Sequence, residues 1–238
     1  MTTINTNTKG ISGSTLKLIA IIAMLIDHIG ACIILPMLST NPALDTLYYA
    51  LRLCGRIAFP IFCFLLVEGF FHTKNVQKYC FRLAIFALIS EIPFDLAIYN
   101  TAFYWDSQNV FFTLLIGLLT IWAMQYVDKF FVKNIVLQAI FRGVILIIGM
   151  FLAWGLKTDY NLYGVIIIAV LYEYYHRRTL SVIISCFMLC MMSTLELTAF
   201  IAVPLIALYN GKRGLSLKYV FYIFYPLHLF ILYIVNLM

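Results

Sequence analysis

The feature that most constrains this chain is the length of its apolar runs: residues 109–127 carry no charged side chain, and residues 134–154 carry only Arg142. A run of about 20 such residues matches the roughly 30 Å hydrocarbon core of a bilayer. A soluble domain needs a wetted surface, with roughly a quarter of its residues charged, whereas this chain of 238 residues is 64% hydrophobic and 11% charged. Strands of a membrane barrel alternate polar and apolar residues, and these runs do not. The sequence therefore predicts an all-α, polytopic membrane helix bundle with the lipid bilayer as its solvent.

Cutting the chain at clusters of charge, Gly, Pro and Asn gives nine apolar segments: about 15–35, 47–71, 79–98, 109–127, 134–154, 161–176, 179–194, 197–209 and 218–237. The three between 161 and 209 are short for a full crossing. Residues 1–13 are polar and rich in Thr and Asn, and read as a disordered cytoplasmic tail; 14–238 read as a single transmembrane domain. Ser12 or Ser14 is placed to cap the first helix. The first apolar run is too long for a cleavable signal peptide.

The formal charge of +6 becomes informative once it is placed on loops. Thirteen Lys and Arg residues fall on one side of a nine-span topology, only Lys157 falls on the other, and Arg52 and Arg56 lie within the second segment. Basic loops face the cytoplasm. This predicts a multi-pass membrane protein with its N-terminus inside and its C-terminus outside. The basic residues are scattered over short loops, which excludes a nucleic-acid groove. The six cysteines form no CxxC pair and lack His at metal-ligand spacing, so neither a metal site nor a disulfide framework is expected.

Ionisable side chains at bilayer depth are costly and therefore candidates for function. Asp27 and His28 lie about 20 Å along the first helix, at 1.5 Å per residue. Arg52 is shallow enough to snorkel toward headgroups, while Arg56 lies deeper, where an Asp27–Arg56 ion pair is one reading. Glu91 and Asp95 share a face with Pro93 between them, which reads as a shaped site or hinge. Asn109, Asp159 and Glu196 fall at outer helix ends, and His228 sits halfway along the last helix. Glu68 lies at a cytoplasmic helix end. His28 is the sharpest candidate, because an imidazole can take a proton from a nucleophile and return it to a leaving group.

Several strings resemble one family in their combined order: STLKLIAIIAMLIDHIG at 14–30, LCGRIAFPIFCFLLVEGFFHT at 53–73, RLAIFALISEIPFDLA at 82–97, NVFFTLLIG at 109–117 and YIFYPLHL at 222–229. They look like the TraX family, which includes the pilin acetylase of conjugative plasmids and is distantly similar to transmembrane acyltransferases. The resemblance runs from about residue 14 to 237. Those acyltransferases place a basic residue eleven before a catalytic His, as Lys17 stands before His28 here. Eleven residues make about three turns, or roughly 16 Å, so both share a face. The relatives also have an Arg-rich second helix, although Arg52 and Arg56 are separated by three residues here and not by two.

The resemblance implies an acyltransferase that uses cytoplasmic acetyl-CoA as donor and no metal. It implies His28, Asp27 and Arg56 in catalysis, with His28 as general base or acyl carrier and Arg56 on the oxyanion. Lys17, Lys74 and Lys78 would meet the CoA phosphates. Glu91, Asp95, Asn109, Asp159, Tyr225 and His228 would line the acceptor side, where the amine or hydroxyl belongs to a pilin N-terminus, a cell-surface glycan or a lipid. The competing reading is a proton-coupled transporter with Asp27, His28, Glu91 and Asp95 as its relay.

Overall fold

The computed structural model describes residues 10–215 and 218–238, and among these the chain is helical with no strand. Nine helical segments coincide with the nine apolar segments: α1 Gly13–Met37, α2 Pro42–His72, α3 Val76–Tyr99, α4 Val110–Phe130, α5 Ile135–Gly155, α6 Asn161–Glu173, α7 Arg178–Cys190, α8 Thr194–Ala207 and α9 Lys218–Leu237. Five of them, α1, α2, α4, α5 and α9, are long and apolar enough to cross a membrane. The helix α3 has the length, 24 residues, but carries Lys78, Arg82, Glu91 and Asp95. The segments α6, α7 and α8 are shorter, in the range of 10–17 residues.

Residues 1–9 of the expected tail lie outside the described residues. The remainder of it is ordered: Ile11 N–H donates to the Leu208 carbonyl at 2.9 Å and its own carbonyl accepts from Asn210 N–H at 3.0 Å. Ser12 is the N-cap of α1, its Oγ accepting from Thr15 N–H at 3.2 Å. The helix therefore starts just before residue 14, because a hydroxyl at position 12 already satisfies one of its first free amides.

The second half of α2 is the pillar of the bundle. It is apolar all round, with Phe59, Ile61, Cys63, Phe64, Leu66 and Val67 all buried, and such a helix has to be enclosed by others. It packs against α1, α4, α6, α7 and α8. By contrast α5 buries only Gly149 and Ala153, and many of its apolar side chains, Ile140, Ile147 and Phe151 among them, are exposed as a lipid-facing helix requires.

Two local departures from regular helix shape the far half of the bundle. Residues Gly30–Ile34 of α1 form a π-helical stretch that begins two residues after His28, a distortion that often marks functional sites. The helix α2 breaks at Arg56 and Ile57. The carbonyls near that break find side-chain donors: Arg56 Nε donates to the Arg52 carbonyl at 3.2 Å and Thr198 Oγ1 of α8 to the Leu53 carbonyl at 2.7 Å. In contrast, α3 runs unbroken through Pro93.

Candidate active site

Two cavities enter the bundle from opposite ends. The one at the basic end, about 530 Å³, is bordered by Lys17, Lys74, Arg82, Arg213, Glu68 and His72. The far-end cavity, about 270 Å³, is bordered by Asp27, His28, Arg52, Arg56, Tyr99 and Asp159. Met24, Phe62, Val110 and Tyr225 line both, and so form the partition between them. On α1, Lys17, Met24 and His28 stand at i, i+7 and i+11, one stripe of a 3.6-residue helix. The spacing of Lys17 and His28 thus corresponds to a continuous cavity-lining face.

Asp27 borders the same far-end cavity, and its carboxylate is drawn into an ion cluster. Its Oδ2 accepts from Arg52 Nη1 at 2.5 Å and its Oδ1 from Arg56 Nη2 at 2.6 Å. Arg56 Nη1 also donates to Glu196 Oε1 of α8 at 3.0 Å. Asp27 is 8% exposed and Glu196 1% exposed, so the cluster is a buried network tying α1, α2 and α8. Gly55 makes it possible: a Cβ there would lie 2.2 Å from Asp27 Cβ.

His28 is engaged by a different group. Its Nδ1 lies 2.7 Å from His228 Nε2, with the rings stacked at a centroid distance of 4.9 Å. His228 Nδ1 lies 2.8 Å from the Phe224 carbonyl one turn back along α9. A carbonyl only accepts, so His228 Nδ1 carries the hydrogen and, in the neutral ring, Nε2 is left as an acceptor. His28 Nδ1–H therefore donates to His228, and His28 Nε2 is the unprotonated nitrogen. That nitrogen has no hydrogen-bond partner among the described residues, and His28 lines the far-end cavity. The arrangement matches a general base whose tautomer is set by the hydrogen bond on its other nitrogen.

Several expectations change. Arg52 does not snorkel; the break in α2 turns it onto Asp27. Asp27 does not orient His28, a task that falls to His228. Each guanidinium nitrogen of Arg56 donates to one acceptor, in Asp27, Glu196 or the Arg52 carbonyl, so Arg56 builds the cluster while it also lines the far-end cavity. Glu91, Asp95 and Asn109 line neither cavity. They hold the loop between α3 and α4: Asp95 Oδ2 accepts from Tyr104 N–H at 2.8 Å, Glu91 pairs with the Asn109 amide, and Asn109 Oδ1 caps α4 through Phe111 N–H at 3.0 Å. The Asp27, His28, Glu91 and Asp95 relay is therefore not assembled. Asp159 and Tyr225 do reach the cavity.

At the basic end Lys17 and Lys74 line the cavity and Lys78 does not, while Arg82 and Arg213 do. Lys17 Nζ stands over the Phe221 ring, 5.3 Å from its centroid. Glu68 joins three elements, accepting from Tyr175 Oη at 3.0 Å and Tyr209 Oη at 3.1 Å. Burial, and then the Glu68 carboxylate, push both phenols well above their usual range, so both remain donors.

Neither the His28–His228 contact nor the Thr198 cap is announced by a motif, because each joins residues far apart in sequence. The Tyr225-Pro226-x-His228 string was the one available pointer to the first. Comparison with known proteins narrows what such a site belongs to. The family profile described as TraX protein matches residues 12–236. The chain is 33% identical over 249 aligned positions to a protein of Dichelobacter nodosus named probable fimbrial assembly protein FimC, serogroup H1, covering 93% of this chain and 94% of that one. It is 27% identical over 158 positions to the uncharacterized protein RP591 of Rickettsia prowazekii (strain Madrid E), covering 66% of this chain and 52% of that one. No solved structure matches.

Proposed function

The chain belongs to the TraX family, and on that premise we propose that it is a membrane acyltransferase, carrying an acetyl group from cytoplasmic acetyl-CoA to an acceptor amine or hydroxyl on the outer side. In this reading all nine helices cross the bacterial cytoplasmic membrane with the basic loops inside. The observation that carries it is the meeting of two cavities from opposite ends at a four-residue partition beside His28, whose Nε2 is free to take a proton.

The residues fit a CoA donor at the basic end. Lys17, Lys74, Arg82 and Arg213 supply cations for its phosphates, and the inward wall of Phe62, Leu66 and Leu114 suits the slender pantetheine arm. The thioester then arrives at the partition. The acceptor enters past Asp159, whose carboxylate attracts an ammonium group and takes one proton from it, leaving the neutral amine. Its nitrogen or oxygen attacks the thioester carbonyl carbon and loses its proton to His28 Nε2. The C–S bond breaks, and His28 returns the proton to the departing thiolate. His228 holds the base in its reactive tautomer throughout.

The name of the Dichelobacter relative concerns fimbrial assembly, which favours a pilin N-terminal amine over a glycan or lipid. The test is incubation of purified protein with acetyl-CoA and a peptide carrying a pilin-like N-terminus, with mass spectrometry of the product. An added acetyl group, lost in His28→Gln, is expected. Tight acetyl-CoA binding with no transfer to any amine, glycan or lipid acceptor would contradict the assignment.

A further inference from the structure

The partition must hold the reacting carbonyl if donor and acceptor arrive from opposite cavities, which raises the question of what stabilises the oxygen as charge develops on it. Four residues line both cavities, and three of them, Met24, Phe62 and Val110, offer only apolar side chains. Tyr225 is the fourth. It is 3% exposed; its buried Oη lies against the backbone N–H of Val110, and its own hydrogen has no acceptor among the described residues. A buried O–H normally finds an acceptor, so one left over at the junction of two cavities points to a ligand atom. Arg56 spends three of its five N–H donors on its own ion cluster, and both it and Arg52 line only the far-end cavity.

We propose that Tyr225 Oη is the oxyanion donor of acyl transfer, hydrogen-bonding the thioester carbonyl oxygen as it becomes tetrahedral. The inference rests on the acyltransferase reading above. The ring is held for this role on three sides: edge-on to Phe111 at 5.1 Å, to His28 at 6.0 Å and to His228 at 5.7 Å. The base and the donor thus belong to one aromatic cluster. The helix α4 begins at Val110, placing the positive end of its dipole at the same junction. When the acceptor attacks, the C=O pair of electrons moves onto oxygen, and the Tyr225 O–H bond is retained while it donates. As the carbonyl reforms, the thiolate leaves with the proton from His28.

The experiment compares wild type, Tyr225→Phe and a protein with 3-fluorotyrosine at position 225, each with acetyl-CoA and a peptide amine acceptor. Tyr225→Phe is expected to lower kcat about 10²–10³-fold, the effect of losing one oxyanion donor, while the acetyl-CoA dissociation constant stays within about two-fold. The fluorotyrosine protein, with ring and hydroxyl kept, is expected to stay within about ten-fold of wild type. A Tyr225→Phe kcat within three-fold of wild type, or an inactive fluorotyrosine protein, overturns the proposal and makes Tyr225 a packing residue. Absence of transfer in wild type would instead overturn the acyltransferase reading.

Discussion

His28 Nδ1 lies 2.7 Å from His228 Nε2, and the direction of that hydrogen bond is fixed from outside the pair by the Phe224 carbonyl at His228 Nδ1. A backbone carbonyl at the end of the chain decides which nitrogen of His28 is the base. Replacing His228 by Leu removes the acceptor and frees the His28 ring; transfer should fall about 10²-fold or more, with the KM for acetyl-CoA little changed. His228→Gln keeps an acceptor oxygen and should recover part of the loss. Equal rates for the Leu and Gln variants would show that the hydrogen bond does not set the tautomer.

Asp27 is predicted to be structural in origin and catalytic only at a distance. Asp27→Asn leaves Arg52 and Arg56 sharing a weaker partner in a buried site, and the protein in detergent should lose about 3 kcal/mol of stability. The check is thermal unfolding of the purified variant. A wild-type melting temperature would mean that water neutralises the cluster.

Gly55→Ala should reproduce much of that defect without touching a charge, since the new methyl would fall 2.2 Å from Asp27 Cβ. Overpacking of this kind costs about 1–3 kcal/mol, and the carboxylate cannot move without releasing an arginine. An Ala variant as stable as wild type would show that α1 and α2 separate easily at this crossing.

The basic residues divide by position. Lys17→Ala and Arg82→Ala should each raise the KM for acetyl-CoA by about ten-fold, the loss of a charge-assisted hydrogen bond to phosphate. Lys78→Ala should leave it unchanged, because that side chain is exposed and lies off the cavity. Steady-state kinetics at fixed acceptor separates the three variants.

The helices were legible because each is written locally, in an apolar run long enough to notice. The shared face of Lys17 and His28 was legible for the same reason, since both lie on one helix. What escaped was set between helices. Arg52 looked shallow if α2 were straight, but the break at Arg56 and Ile57 turns it onto Asp27. Glu91 and Asp95 share a face as their spacing demands, but that face meets the α3–α4 loop, and residues such as Phe94 and Tyr99 face the cavity instead. Periodicity gives which residues align, not what they align against. His28 and His228, two hundred positions apart, are the extreme case.

The central claim is transfer from one side of the membrane to the other, and sidedness measures it most directly. Protein reconstituted into sealed vesicles is given radiolabelled acetyl-CoA only on the side of the basic loops, and an impermeant peptide amine only on the other. The account predicts labelled peptide across the membrane, with His28→Gln giving none. Label appearing only when donor and acceptor share a compartment, or proton-coupled uptake with no acetylated product, would contradict it.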